Sequence, residues 1–324
     1  MKEIRWGIIG CGDVTEVKSG PAFHKVNHSR LVAVMRRDGT MAADYAKRHQ
    51  VPKWFDDATQ LINDPEVNAI YIATPPLQHE AYTIEALKAG KPVYVEKPMT
   101  LDAEAAQRMT DVANKLNVKL CVAHYRRAQP MFLKVKELLA TNIIGDIRLV
   151  SLKMLQQPNP SLIAKTASNW RINPAISGGG LFHDLAPHQL DLMTYYFGAV
   201  KNAIGIATRQ QENTKVDDLV VGNILFENGV VFSGNWCFSV APQDEADLCI
   251  IYGSKGHINF PMFGNKITVT TNQTTDEYTF EPLQHVQQPM IEKVVDYFLN
   301  KGQNPCSGED ALITMKLMDE FTRK

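Results

Sequence analysis

The chain has 324 residues, 44% of them hydrophobic and 21% charged, with a formal net charge of −1 at pH 7. That length suffices for two domains with separate cores, and the near-neutral charge lacks the basic excess that marks nucleic-acid binding. No apolar run approaches the roughly 20 residues that span a bilayer, and five scattered cysteines, odd in number and without close pairs, suit reduced thiols rather than a disulfide frame or a zinc site.

In chain order, "MKEIRWGIIGCG" enters a strand pattern at once and leaves no room for a signal peptide, so a cytoplasmic protein is expected. Apolar strands are predicted over residues 4–9, 31–35, 69–73, 93–95 and 119–123. Helical stretches lie between them: "MAADYAKRH", "HEAYTIEALKAG", closed by Gly90, and "DAEAAQRMTDVANKL". Helices alternating with short, nearly all-apolar strands predict crossover units and a doubly wound parallel sheet. From about residue 145 the pattern becomes "DIRLVSLKML", a hairpin around Asn228-Gly229, then "ADLCIIYGSKGHINF", "KITVTT" and "EYTFE". Two closing helices follow. The expectation is an α/β chain: a dinucleotide-binding domain over residues 1–122, and over 123–324 an α+β domain with a mostly antiparallel sheet.

Gly10 and Gly12 follow the first strand directly. In a dinucleotide fold the first such glycine makes the tight turn, the second lets the backbone approach a pyrophosphate, and the phosphate rests on a helix N-terminus, here Asp13 and Val14. The third motif position is Thr15, a departure from Gly or Ala. The second strand ends in Arg36 and Arg37, with Asp38 one step beyond. An acid there binds the ribose 2′-hydroxyl of NAD, whereas two guanidinium groups suit a 2′-phosphate. The arginines favour NADP(H) over NAD(H); the other reading has them solvated and Asp38 on the ribose.

"PVYVEKPMT" carries Glu96, Lys97 and Pro98 out of the fourth strand, at a carboxyl end where open α/β sheets bind ligands. Lys97 there can donate a proton or hydrogen bond to a substrate oxygen; a strand-end salt bridge is the plainer reading. "SGGGLFHDLAPHQLD" places Asp184 and His188 four apart, on one face if helical, as a carboxylate–imidazole acid–base pair. Pro187 either starts that helix or kinks it. His183 and His188 with two aspartates suggest a metal only weakly, because no third ligand of a catalytic zinc motif is present, and no metal is expected.

"GIIGCG", "ATPPLQH" at 73–79, "EKP" at 96–98, "WR" at 170–171 and "GGGLFHDLAPH" at 178–188 occur in one order, and together they resemble the Gfo/Idh/MocA oxidoreductases over nearly the whole chain. The resemblance implies an N-terminal Rossmann domain and a C-terminal open sheet that commonly forms a dimer face, hence a homodimer or homotetramer. It implies that Lys97, Asp184 and His188 hold the catalytic positions, with the proline bond often cis, His188 as acid or base, and Asp184 orienting His188 or touching a neighbouring hydroxyl. Thr74, Pro75, His79, Glu96, Lys97, Trp170 and Arg171 would lie against the cofactor, and Tyr125 and Arg126 would line the substrate site. His124 stands where many relatives carry Asn. His183 is not a usual feature of the motif; it either tunes substrate choice or merely packs. The implied reaction is hydride transfer between nicotinamide and a sugar, polyol or related hydroxy or keto compound, with specificity set by loops such as 156–170. The alternatives are a redox-neutral NAD-dependent glycosidase and a non-catalytic sugar or dinucleotide sensor of the same fold.

Overall fold

Six strands form the first sheet: β1 (Ile4–Ile9), β2 (Ser29–Met35), β3 (Lys53–Phe55), β4 (Ala69–Ile72), β5 (Val93–Val95) and β6 (Leu120–Val122). All are parallel, in the order β3-β2-β1-β4-β5-β6. Strands β4, β5 and β6 are buried at every position, as expected of a parallel sheet covered by helices on both faces. The helices are α1 (Asp13–Val17), α2 (Ala22–Lys25), α3 (Gly39–Arg48), α4 (Ala58–Asn63), α5 (His79–Lys88) and α6 (Ala103–Leu116). Asp38, Asp57 and Asp102 cap α3, α4 and α6 by accepting from the main-chain N–H three residues on. The computed structural model describes residues 2–158, 160, 170–212 and 214–322. Strand β3 was not expected. It is a three-residue edge strand that begins on a lysine and leaves Trp54 48% exposed, so it carries no apolar run to announce it.

The sequence after β6 forms α7 (Pro130–Ala140), β7 (Ile147–Leu155), α8 (Pro174–Ser177), α9 (Leu181–Phe197) and strands β8 (Val200–Thr208), β9 (Leu219–Phe226), β10 (Val231–Cys237), β11 (Ala246–Gly253), β12 (Gly256–Phe260), β13 (Lys266–Thr271) and β14 (Thr275–Thr279). They make an eight-stranded sheet, β14-β13-β12-β11-β7-β10-β9-β8, antiparallel except for the β7–β10 pair. The Asn228-Gly229 hairpin joins β9 and β10, with Gly229 at φ +86°. Gly205, Gly222 and Gly234 lie in register across β8, β9 and β10. A Cβ on Gly205 or Gly222 would stand within 2.5 Å of Phe321, from the last helix, so the glycines admit that ring. The opposite face of the sheet stays open: Ile204 is 62% and Ile206 72% exposed, and Leu149, Val231 and Tyr252 share their face.

Two helices end the chain, α10 (Gln288–Phe298) and α11 (Gly308–Thr322). Two compact units result, Met1–Gln129 with Leu283–Met315, and Pro130–Pro282 with Lys316–Lys324. The sequence reading divides the chain at 122/123 and leaves the whole C-terminus with the second half. In the structure α10 returns to the first unit, where Phe298 stacks 5.6 Å from Trp6 and Lys119 donates to Asn300 Oδ1 at 2.6 Å. Among the described residues, no helix is long and apolar enough to cross a membrane.

Candidate active site

Strand order reverses between β1 and β4, the switch point at which open α/β sheets bind ligands. The loop leaving β1 is built for close approach there. Gly10 has φ +94°, and a Cβ on it would stand 2.8 Å from the main-chain nitrogen of Thr74. Gly12, the residue before α1, faces open space: a Cβ there would meet nothing nearer than the Gly10 carbonyl at 4.0 Å. Asp13 is exposed and Val14 half-buried on the first turn. Thr15 is buried, and its carbonyl accepts from Tyr45 at 2.8 Å. Gly20 packs closely on the same group: a Cβ there would stand 2.1 Å from that carbonyl.

Arg36 leaves β2 toward this loop, with Nη1 3.5 Å from the Cys11 carbonyl. Arg37 is exposed. Asp38 is exposed and caps α3, its Oδ1 accepting the Met41 N–H at 3.1 Å.

From β4 come Thr74 and Pro75. Thr74 Oγ1 is buried without a hydrogen-bond partner among the described residues. His79, fully buried, bridges two loops: Nε2 lies 2.7 Å from the Thr74 carbonyl and Nδ1 3.0 Å from the Pro98 carbonyl. Burial lowers its pKa, and the carbonyl contacts act in the opposite direction. Its part is thus to tie the loop after β4 to the loop after β5. That second loop carries Glu96, 5% exposed, then half-buried Lys97 and a cis bond to Pro98. Glu96 accepts from Tyr71, from Gln287 and, at 3.2 Å, from the N–H of Lys97. After β6, His124, Tyr125 and Arg126 are buried, and the Arg126 guanidinium lies 5.7 Å from the Tyr125 ring centre.

The second unit holds the other predicted group. Helix α9 starts after Gly180 and runs through Pro187 without a break, so Asp184 and His188 do share a face, one turn apart. Asp184 accepts from Arg171 Nε at 2.9 Å, both side chains being largely buried, and the Arg171 guanidinium stacks 4.5 Å from Trp170. Arg171, read from sequence as a cofactor contact, also pairs with Asp184, a pairing across 13 residues that no helical spacing signals. His188 is 4% exposed and stands edge-on to Phe263, ring centres 6.1 Å apart. His183 projects about 100° around the helix from Asp184. It lines a small cavity with Gly178, Gly179, Lys215 and Asp217, and burial pushes its pKa down to about 4. Of the 156–170 loop, residues 159 and 161–169 lie outside the described residues. Sequence reasoning also missed Tyr71 and Gln287, which carry no motif.

Two family models match in series: the oxidoreductase family with NAD-binding Rossmann fold over residues 4–124, and the Gfo/Idh/MocA C-terminal domain over 132–259. The chain is 48% identical over 318 residues to oxidoreductase P35 of Formosa agariphila, covering 98% of each. It is 30% identical over 254 residues to a trans-1,2-dihydrobenzene-1,2-diol dehydrogenase of Bos taurus, covering 78% of this chain and 72% of the relative. A solved levoglucosan dehydrogenase, in complex with NADH and levoglucosan, shares the fold with a TM-score of 0.87 at 21% identity, over 98% of this chain and 96% of the other. With both halves matched in order, and nearly the full length shared with an oxidoreductase, the chain belongs to the Gfo/Idh/MocA family of NAD-binding oxidoreductases.

Proposed function

We propose that the chain transfers a hydride between NADP(H), in preference to NAD(H), and a hydroxyl-bearing carbon of a sugar, polyol or related diol, with Lys97 and His188 as the acid–base groups. The observation that carries this reading is the placement of the motif's acid–base residues: Lys97 in the loop that leaves the carboxyl end of β5, Asp184 and His188 one turn apart on α9. The first unit fits a dinucleotide. Gly12 leaves open space at the N-terminus of α1, and the Thr74 hydroxyl nearby is a buried polar group awaiting a partner. The preference for NADP(H) is supported by Asp38, whose carboxylate already caps α3, and by Arg36, which lies beside the Gly-rich loop.

The bound nicotinamide would supply the hydride acceptor or donor. Lys97 holds the reacting oxygen or donates a proton to it. His188 takes or returns the hydroxyl proton. Asp184, paired with Arg171, is held in place to contact a neighbouring hydroxyl or to orient His188. Gly10, Asp13, Val14, Arg37, Pro75, His79, Glu96, Trp170 and Arg171 complete the proposed cofactor surroundings, with Tyr125, Arg126 and His183 on the substrate side. A vicinal diol, the group in the name of the dehydrogenase relative, suits a site with two acid–base groups. The open face bearing Ile204 and Ile206 is assigned to pairing with a second copy, and the protein to the cytoplasm.

The test is an absorbance screen of purified protein with NADP+ and NAD+ separately against sugars, polyols, inositols and dihydrodiols, with matching ketones in reverse. Reduced nicotinamide formed with one substrate class, faster with NADP+, is the expected result. Tight dinucleotide binding with no redox turnover on any of them, but with glycoside cleavage, would replace the reading by the redox-neutral one.

A further inference from the structure

The loop carrying Lys97 is held from beneath by side chains that no motif marks. Glu96 is the last residue before Lys97, and its carboxylate is buried. A buried carboxylate needs partners on both oxygens. Oε1 takes two donors, the Tyr71 hydroxyl from β4 and the Gln287 amide from the segment leading into α10. Oε2 accepts the main-chain N–H of Lys97 at 3.2 Å. Gln287, 1% exposed, is fixed in turn: its Oε1 accepts from the Tyr94 hydroxyl at 3.2 Å, and its own N–H donates to the Lys18 carbonyl at 3.2 Å. The Tyr71 hydroxyl also lies 3.1 Å from Ser19 Oγ. With Oε1 pinned from two directions, the carboxylate has no freedom to rotate, and Oε2 stays on the Lys97 amide.

We propose that Tyr71 and Gln287 are positioning residues for Lys97, acting through the Glu96 carboxylate. The proposal rests on the reading of Lys97 as an acid–base residue and adds how its backbone is aimed. Misplacement of a reacting group by about 1 Å costs on the order of 100-fold in rate. Loss of one donor to Glu96 should therefore be felt in kcat, although Tyr71 and Gln287 are themselves buried.

The experiment combines Tyr71→Phe and Gln287→Leu with Lys97→Ala in double-mutant cycles. It reads kcat, the dissociation constant of NADPH by fluorescence, and the Lys97 amide resonance in protein labelled with 15N-lysine, assigned through Lys97→Arg. In the wild-type background each change should lower kcat by about 10-fold or more while the NADPH dissociation constant moves less than about 2-fold. In the Lys97→Ala background the same changes should alter kcat less than about 2-fold. The Lys97 amide resonance should shift in both variants. Full multiplicative losses in the Lys97→Ala background, or an unmoved resonance, would overturn the proposal. If Lys97→Ala itself leaves turnover intact, the parent reading fails, and the resonance still decides whether the brace acts on Lys97. Tyr71→Phe removes a single oxygen from a packed ring, so it keeps the test open should Gln287→Leu not fold.

Discussion

Protonation of His183 should drain stability from the fold as pH falls, by an amount that its burial sets. The side chain is 5% exposed, and its ring lies against Gly179, where any Cβ would stand 2.2 Å from Nδ1. Burial lowers its pKa from 6.5 to about 4, a contact with the Gly179 backbone working weakly the other way. The unfolded chain keeps the ordinary value. Above that value both states are neutral and the contribution to stability is complete. As pH falls below it, the unfolded state binds the proton first, and the loss is complete below the folded value. A gap of roughly 2.5 units at about 1.4 kcal/mol per unit makes the full loss about 3 kcal/mol. The assay is urea unfolding between about pH 7.5 and pH 4.5 for the wild type and His183→Phe, which keeps an aromatic ring and removes the titration. His24 and His79, whose pKa values burial also lowers, are present in both proteins and cancel. The wild type should lose about 2 to 3 kcal/mol more than the variant over that range. Parallel pH profiles would show that the imidazole protonates freely in the folded state and refute the reasoning.

Lys97→Ala and His188→Ala should each lower turnover by about 100-fold or more while NADPH still binds within about 2-fold of the wild type; unchanged turnover in both would remove them from the chemistry. Arg36→Ala should weaken NADPH by about 10-fold and NADH little, measured by fluorescence titration, whereas equal losses would make Arg36 a surface residue. Gly222→Ala should lower the unfolding free energy by about 1 to 3 kcal/mol, because the new Cβ would stand 2.3 Å from the Phe321 ring; an unshifted thermal midpoint would mean that the ring yields without cost.

What could be read from the sequence, and what could not, divides by distance along the chain. The period of the strands, the glycines of the first loop and the Asn228-Gly229 turn are local signals, since each constrains the backbone within a few residues. The Asp184–His188 spacing belongs with them, but the continuity of α9 through Pro187 does not. A proline removes one main-chain donor and is tolerated where burial supplies the difference, and thirteen of the seventeen residues of α9 are buried. That burial comes from residues far off in sequence, so a local reading had to leave start and kink both open.

The same reasoning separates Glu96 from its partners. A charged residue ending a buried strand is visible in "VYVEKP", and it demands compensation. The compensation itself lies 25 residues upstream in Tyr71 and 191 residues downstream in Gln287. Gln287 reaches Glu96 because the segment Leu283–Met315 belongs to the first unit, a return that hydrophobic periodicity does not encode. An unexplained buried charge in a sequence is thus itself a prediction: it says that a distant polar side chain must arrive, and here Gln287 arrives with α10, which the packing of Phe298 on Trp6 also holds to the first unit.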